Sequence, residues 1–207
     1  MNTIAIHADE REQFPDLIDA MHRLRASVFK ERLEWDVEVV DGREADNFDH
    51  LPATYILLLT GPSKVSGCAR LLPATGATML TRAFPQLLST GKLDAHTAMI
   101  ESSRFCVDTT IEEGKGEGSL HEATLTMLAA IIEWSMINSY SEIVTATDIR
   151  FERILKRAGW PMRRLGEPTR IGNTVAVAGS LPADRASLER VRPAGSGSTF
   201  NPLHNSA

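Results

Sequence analysis

Cysteine is scarce in this chain, with only Cys68 and Cys106 among 207 residues. Two thiols so placed make neither a disulfide framework nor a metal-ligand spacing. Both fall in strand-like runs, where cysteine behaves as a small buried hydrophobe. Long apolar runs are also missing, and none approaches membrane-spanning length. The opening "MNTIAIHADEREQF" has neither the basic start nor the apolar centre of a secretion signal. Basic residues are outnumbered, 22 against 27, and no basic tract offsets the net charge of −5. That balance argues against general nucleic-acid binding. No repeat, domain boundary or sign of oligomerisation is evident. Together these absences place the chain in a reducing cytoplasm.

What remains is globular, 43% hydrophobic and 24% charged, and long enough to close one substantial core. A single domain is expected over 1–190. "RPAGSGSTFNPLHNSA" has the composition of a loose end, so 191–207 is expected to be a flexible tail.

Apolar residues Phe14, Leu17, Ile18, Met21, Leu24 and Val28 recur at helical steps and predict one buried face. Two β-like runs follow, "ATYILLLTG" and "KVSGCARLLPA", joined by Gly-Pro-Ser as in an antiparallel hairpin. After a connection containing "TRAFPQLL" come a strand, "AMIESSRFCVD", and a glycine-rich loop opening a long helix. The strand "EIVTATD", the amphipathic helix "IRFERILKRAGW" stopped by Gly159, and a late strand, "NTVAVAGSL", complete the layout. A mixed sheet with helices on both faces accommodates this order. The fold class is α/β.

Charges in apolar surroundings mark the candidate site. Arg25 projects beside the buried helical stripe, so it either snorkels to water or is buried and needs carboxylates. The loop after Trp35 supplies Asp41, Glu44, Asp46 and Asp49. Asp46 and Asp49, paired with Arg25 or Arg70, could wall a zwitterion site or form a solvated acidic loop. Glu101 and Arg104 lie in an otherwise apolar strand, where unpaired charge is costly. Three residues apart, they face opposite sides of a regular strand, so a shared site requires a bulge. "GKGEGSLHE" offers backbone N–H groups at a helix start, suited to phosphate or a pantetheine arm. Arg150, Arg153, Lys156 and Arg157 form a basic face that could dock an acidic partner or stand solvated.

In order, "RLRASVFKERLEWDV", "DNFD", "GCARLL", "AFP", "ESSRFCVD" and "ILKRAGW" resemble the LuxI-type acyl-homoserine-lactone synthases. Arg25, Phe29, Trp35, Asp46, Asp49, Arg70, Phe84, Glu101 and Arg104 match the family's characteristic positions. The resemblance implies a three-layer α/β/α sandwich, N-acetyltransferase-like, with a V-shaped cleft in the sheet. It implies no prosthetic group and no metal. The substrates would be S-adenosylmethionine and an acyl thioester on acyl carrier protein or coenzyme A, converted to a quorum-sensing lactone.

Glu101 is then the expected catalytic base. Arg25, Arg70, Arg104, Asp46 and Asp49 are expected to form the polar cluster of the S-adenosylmethionine pocket. Phe29, Trp35 and Phe105 would wall the sulfonium and adenosyl portion, with Phe84 in the same pocket. Ser103 and Thr145 would line the acyl pocket, and Thr145 hints at a 3-oxo preference. Arg153 and Arg157 match the family's carrier-docking face. Two further readings are an acyl-CoA-dependent acyltransferase for another amine and a non-catalytic binding module. The first fits "EEGKGEGS" poorly.

Overall fold

The computed structural model describes residues 1–109, 121–197 and 200. Its sheet runs in the order β1 (Asn2–Ile6), β4 (Thr54–Gly61), β5 (Lys64–Pro73), β6 (Met99–Val107), β7 (Glu142–Asp148), β10 (Thr174–Pro182) and β8 (Arg163–Arg164). The strand β9 (Thr169–Ile171) also pairs with β10, and β2 (Val39–Val40) with β3 (Arg43–Glu44) makes a separate small hairpin. Both faces of the sheet are covered, which is why β4 and β5 are buried along most of their length and not at alternate residues.

Helices α1 (Pro15–Arg25) and α2 (Met79–Arg82) lie on the front face. Helices α3 (Glu122–Ile137), α4 (Ile149–Arg157) and α5 (Arg185–Val191) lie on the back. This is the expected three-layer sandwich. Helix α3 is buried from Ala123 to Ser135 except at Leu125 and Thr126, because the sheet covers one side and α5 packs against the other. Helix α4 stops at Gly159, whose φ of +78° lets Trp160 N donate to Leu155 O at 3.0 Å. Among the described residues, no helix is long and apolar enough to cross a membrane.

One junction positions the site. Every strand pair is antiparallel except β6–β7, and that parallel pairing covers only Met99–Glu101 with Glu142–Val144. Beyond Glu101 the two strands part and leave a V-shaped opening through the sheet.

Two expectations need correction, the element layout and the place of Phe14. The layout lacked β1, a five-residue edge strand too short to show a convincing period, and α5, which is capped by Asp184. At the start of the expected 191–207 tail, Val191 is buried and Arg192 reaches Glu133 at 3.2 Å, while residues 198, 199 and 201–207 lie outside the described residues. Phe14 is 39% exposed because it occupies the N-cap of α1 and not its buried stripe. The glycine-rich loop, read as suited to phosphate or a pantetheine arm, lies, up to residue 120, outside the described residues.

Candidate active site

The site starts from a slip in β6. Cys68 pairs with Cys106, but Arg70 pairs with Ser103, so β6 holds one residue more than β5 across that interval. Arg104 takes up the difference with a φ of +54°. Without this bulge, Arg104 would face the back of the sheet. With it, Glu101, Ser103 and Arg104 all reach the front, as a shared site requires. The same slip turns Phe105 to the back, where its ring lies 4.6 Å from Phe151. Phe105 therefore does not join the aromatic wall on the front.

Arg25 completes the stripe Leu17–Met21–Arg25 at four-residue steps and is fully buried, which settles the choice against snorkelling. Its Nε donates to Glu44 at 2.5 Å, and its two terminal nitrogens grip Asp49 at 2.8 and 2.9 Å. Arg70 donates to Asp46 at 2.6 and 3.1 Å, to Asp49 at 2.7 Å and to Ser103 Oγ at 3.2 Å. Arg104 bridges Glu44 at 3.1 Å and Asp46 at 2.6 Å. Tyr55 OH adds a donor to Asp49 at 2.6 Å. Three guanidinium groups thus meet three carboxylates, and the cluster is formally neutral. Burial raises the Asp49 carboxyl, but Arg25, Arg70 and Tyr55 outweigh it and hold the group well below the usual carboxylate range.

Glu44 is the member that the sequence reading left out of the site. The usable signal was Asp41-Gly42, both left-handed, at φ +51° and +75°. A two-residue hairpin turn of this kind puts Asp41 at an exposed tip and returns the following acids to the core.

Glu101 stands apart from this cluster. Its two oxygens accept from the backbone N–H groups of Met79 (3.0 Å) and Leu80 (2.6 Å), the first turn of α2. Burial still dominates and raises its pKa above the ordinary 4.5. A carboxylate raised in this way is a stronger base near neutral pH.

Above these groups lies a cavity of about 750 Å³ that passes through the parting of β6 and β7. Phe29, Trp35, Met79, Phe84, Glu101, Ser103 and Arg104 line it at the front. Phe29 and Trp35 stack at 5.2 Å, and the Arg104 guanidinium sits 5.7 Å over the Phe29 ring. Helix winding favours this wall: after Arg25 the chain widens to a π-helix over Ala26–Arg32, so Val28 and Phe29 both point inward. Thr145, with Phe105, Thr124 and Phe151, lines the back. By alternation along β7, its neighbours Val144 and Ala146 belong to the front core. Arg25, Asp46, Asp49 and Arg70 are absent from the lining. Arg70 reaches Ser103 and Asp46 reaches Arg104, so the cluster lies directly against two of the lining residues.

Comparison with known proteins agrees with this geometry. The model of the family "Autoinducer synthase" matches residues 9–191. An acyl-homoserine-lactone synthase of Rhizobium radiobacter is 63% identical over 195 residues, covering 94% of this chain and 92% of that protein. This chain belongs to the autoinducer synthase family. Two solved structures share the fold. The acyl-homoserine-lactone synthase LasI has a TM-score of 0.78 at 32% identity, covering 91% of this chain and 93% of that one. The CoA-dependent synthase BjaI, solved with S-adenosylmethionine and isopentyl-CoA, has a TM-score of 0.80 at 26% identity, covering 90% and 85%.

For an autoinducer synthase, the remaining expected residues fall in two places. Phe84 and Ser103 join the cavity. Arg153 and Arg157 are exposed on α4, outside the cavity lining and on the back layer.

Proposed function

We propose that this chain acylates the α-amine of S-adenosylmethionine from an acyl thioester and then closes the product to an acyl-homoserine lactone. The observation that carries this reading is the through-sheet cavity, with a buried base at its waist, an aromatic and cationic wall in front and an acyl-sized chamber behind. A free α-amine has a pKa of about 7.7–8.0, so it needs a neighbouring base near neutral pH. Glu101 takes that proton as the nitrogen attacks the thioester carbonyl. The C–N bond forms, the C–S bond breaks, and the donor leaves as its thiol. The carboxylate oxygen then attacks the γ-carbon and displaces methylthioadenosine, which closes the ring and discharges the sulfonium. The stacked Phe29 and Trp35 rings suit that sulfonium, since aromatic faces attract cations. Holding amine and thioester together supplies several kcal/mol of the acceleration, within a range of about 7–11 kcal/mol for well-oriented reactants. Both substrates are ordinary cytoplasmic metabolites, and we place the reaction there.

Mass spectrometry of extracts from expressing cells tests the reading, with a homoserine-lactone ion naming the acyl group. Absence of any lactone there and with purified protein would turn attention to the broader acyltransferase or binding-module readings.

Two finer assignments belong to the same proposal. Thr145 lines the back chamber, where among the described residues its hydroxyl makes one long hydrogen bond, to Ala146 O at 3.5 Å. It is placed to donate to a 3-oxo group. Thr145→Val is expected to cut the preference for 3-oxo over unsubstituted donors about tenfold, the scale of one hydrogen bond, in competition assays. Unchanged preference would remove Thr145 from donor selection. The exposed arginines of α4 suit an acidic acyl carrier protein. Arg153→Glu with Arg157→Glu should lower kcat/KM for carrier-protein donors by about tenfold or more and spare coenzyme A donors. Equal effects on both donors would return that face to a solvated role.

A further inference from the structure

Two separate apolar clusters cover the front of the sheet, one on each side of the parting. Leu33, Trp35 and Val37 pack with Phe29 in the first, and Phe84 and Ile171 pack with Ala176 and Ala178 in the second. At the apex of the V, the β6–β7 pairing joins the two halves. At the open end, where Ala176 pairs with Asp148 at the close of β7, a side chain reaches across. Asn173 Nδ2 donates to Glu34 O at 2.9 Å and to Leu33 O at 3.4 Å, although 139 residues separate Asn173 from Glu34. With two carbonyls before it, the amide must present its nitrogen. All three residues line the cavity.

Both ends of this bridge have a local cause. Ile171 pairs with Thr174, so Gly172-Asn173 is the two-residue loop of the β9–β10 hairpin, with Gly172 in first place at φ +56°. Asn173 therefore stands at the hairpin tip. Opposite it, Glu34 has a φ of +54°, an uncommon conformation for a residue with a side chain. Such a residue persists when its surroundings over-determine it. Leu33 N donates to Val28 O at 3.0 Å and Trp35 N to Phe29 O at 2.8 Å, which fastens the amide side of this turn to the π-helix. Asn173 fastens the carbonyl side. The next residue is Trp35, stacked on Phe29.

We infer that Asn173 is a positioning residue for S-adenosylmethionine. It clasps the open end of the cleft and, through the Leu33 and Glu34 carbonyls, sets Trp35 against Phe29. The role rests on the reading above that this aromatic wall receives the sulfonium.

The experiment compares wild type, Asn173→Ala and Asn173→Asp. Aspartate keeps the size and suits the loop after Gly172, but it turns an acceptor toward two acceptors. The kcat, the KM for each substrate, the urea midpoint and acrylamide quenching of tryptophan fluorescence are measured. Quenching follows Trp35, since the other two tryptophans, Trp134 and Trp160, are buried. The expected result is a KM for S-adenosylmethionine raised about tenfold in Asn173→Asp and less in Asn173→Ala, the scale of one hydrogen bond. Trp35 should become easier to quench, while kcat, the KM for the acyl donor and the urea midpoint hold. Unchanged KM and quenching in both variants would overturn the assignment, as would equal rises in both KM values with a lower urea midpoint. Either result leaves acyl transfer intact. Wild-type protein that neither binds S-adenosylmethionine nor turns over would overturn both.

Discussion

Glu101→Gln is expected to lower kcat by about 10²- to 10⁴-fold, the usual contribution of a positioned general base, with little change in S-adenosylmethionine affinity. The substitution is nearly isosteric, and the amide oxygen can still accept from one of the two α2 N–H groups. The amide nitrogen, however, faces the other N–H as donor against donor, so a modest loss of stability accompanies the loss of the base. Affinity should survive because the aromatic wall and Arg104 are untouched. The pH profile adds a signed test. Glu101 works only when ionised, and burial raises its pKa above 4.5. The acidic limb of kcat/KM in wild type should therefore lie above the ordinary glutamate range, and it should vanish in the glutamine variant. Wild-type rates in Glu101→Gln would end the base assignment.

Asp49→Asn carries the largest expected effect on stability. Asp49 receives two bonds from Arg25 and one each from Arg70, Tyr55 and the Asp46 N–H. Neutralising it leaves Arg25 and Arg70, both fully buried, with an excess of positive charge. Breaking one partner of a buried ion pair typically costs about 3–5 kcal/mol, a large share of a total near 5–15 kcal/mol. A fall in the urea midpoint of matching size, without a change in slope, is the expected readout. The pH dependence follows from the direction of the shift. The folded-state pKa of Asp49 is depressed, so its contribution is fully present above the unfolded value of about 3.9 and is lost as pH falls through the folded value. The gap between wild type and Asp49→Asn should thus be widest near neutrality and narrow in acid. A variant as stable as wild type at neutral pH would contradict the stabilising role given to the cluster.

Much of this site was legible because burying charge is costly. Arg25 beside an apolar stripe left snorkelling and burial with carboxylates both open, while Glu101 with Arg104 in an apolar strand called for buried partners. The requirement that Glu101 and Arg104 share a face even called for the bulge. What remained hidden depended on its exact position. A one-residue slip decides the face of every following side chain, so Phe105 could be assigned to the front wall from sequence and still turn to the back. Likewise, four acids after Trp35 looked equivalent until the Asp41-Gly42 turn separated the exposed Asp41 from Glu44. Asp46 and Asp49 were recognised as charged partners, but which arginine grips which carboxylate is a matter of three-dimensional geometry. Strand β1 and helix α5 were missed for a different reason, since five and seven residues are too few for a period to show.

The most direct test of the central claim is the product balance of the purified chain. S-adenosylmethionine and an acyl thioester are supplied, and acyl-homoserine lactone, free thiol and methylthioadenosine are followed together over time. The account predicts that all three form in equal amounts, because one turnover breaks one thioester and expels one methylthioadenosine. Thiol released with an open-chain acylated amine, and no methylthioadenosine, would contradict it.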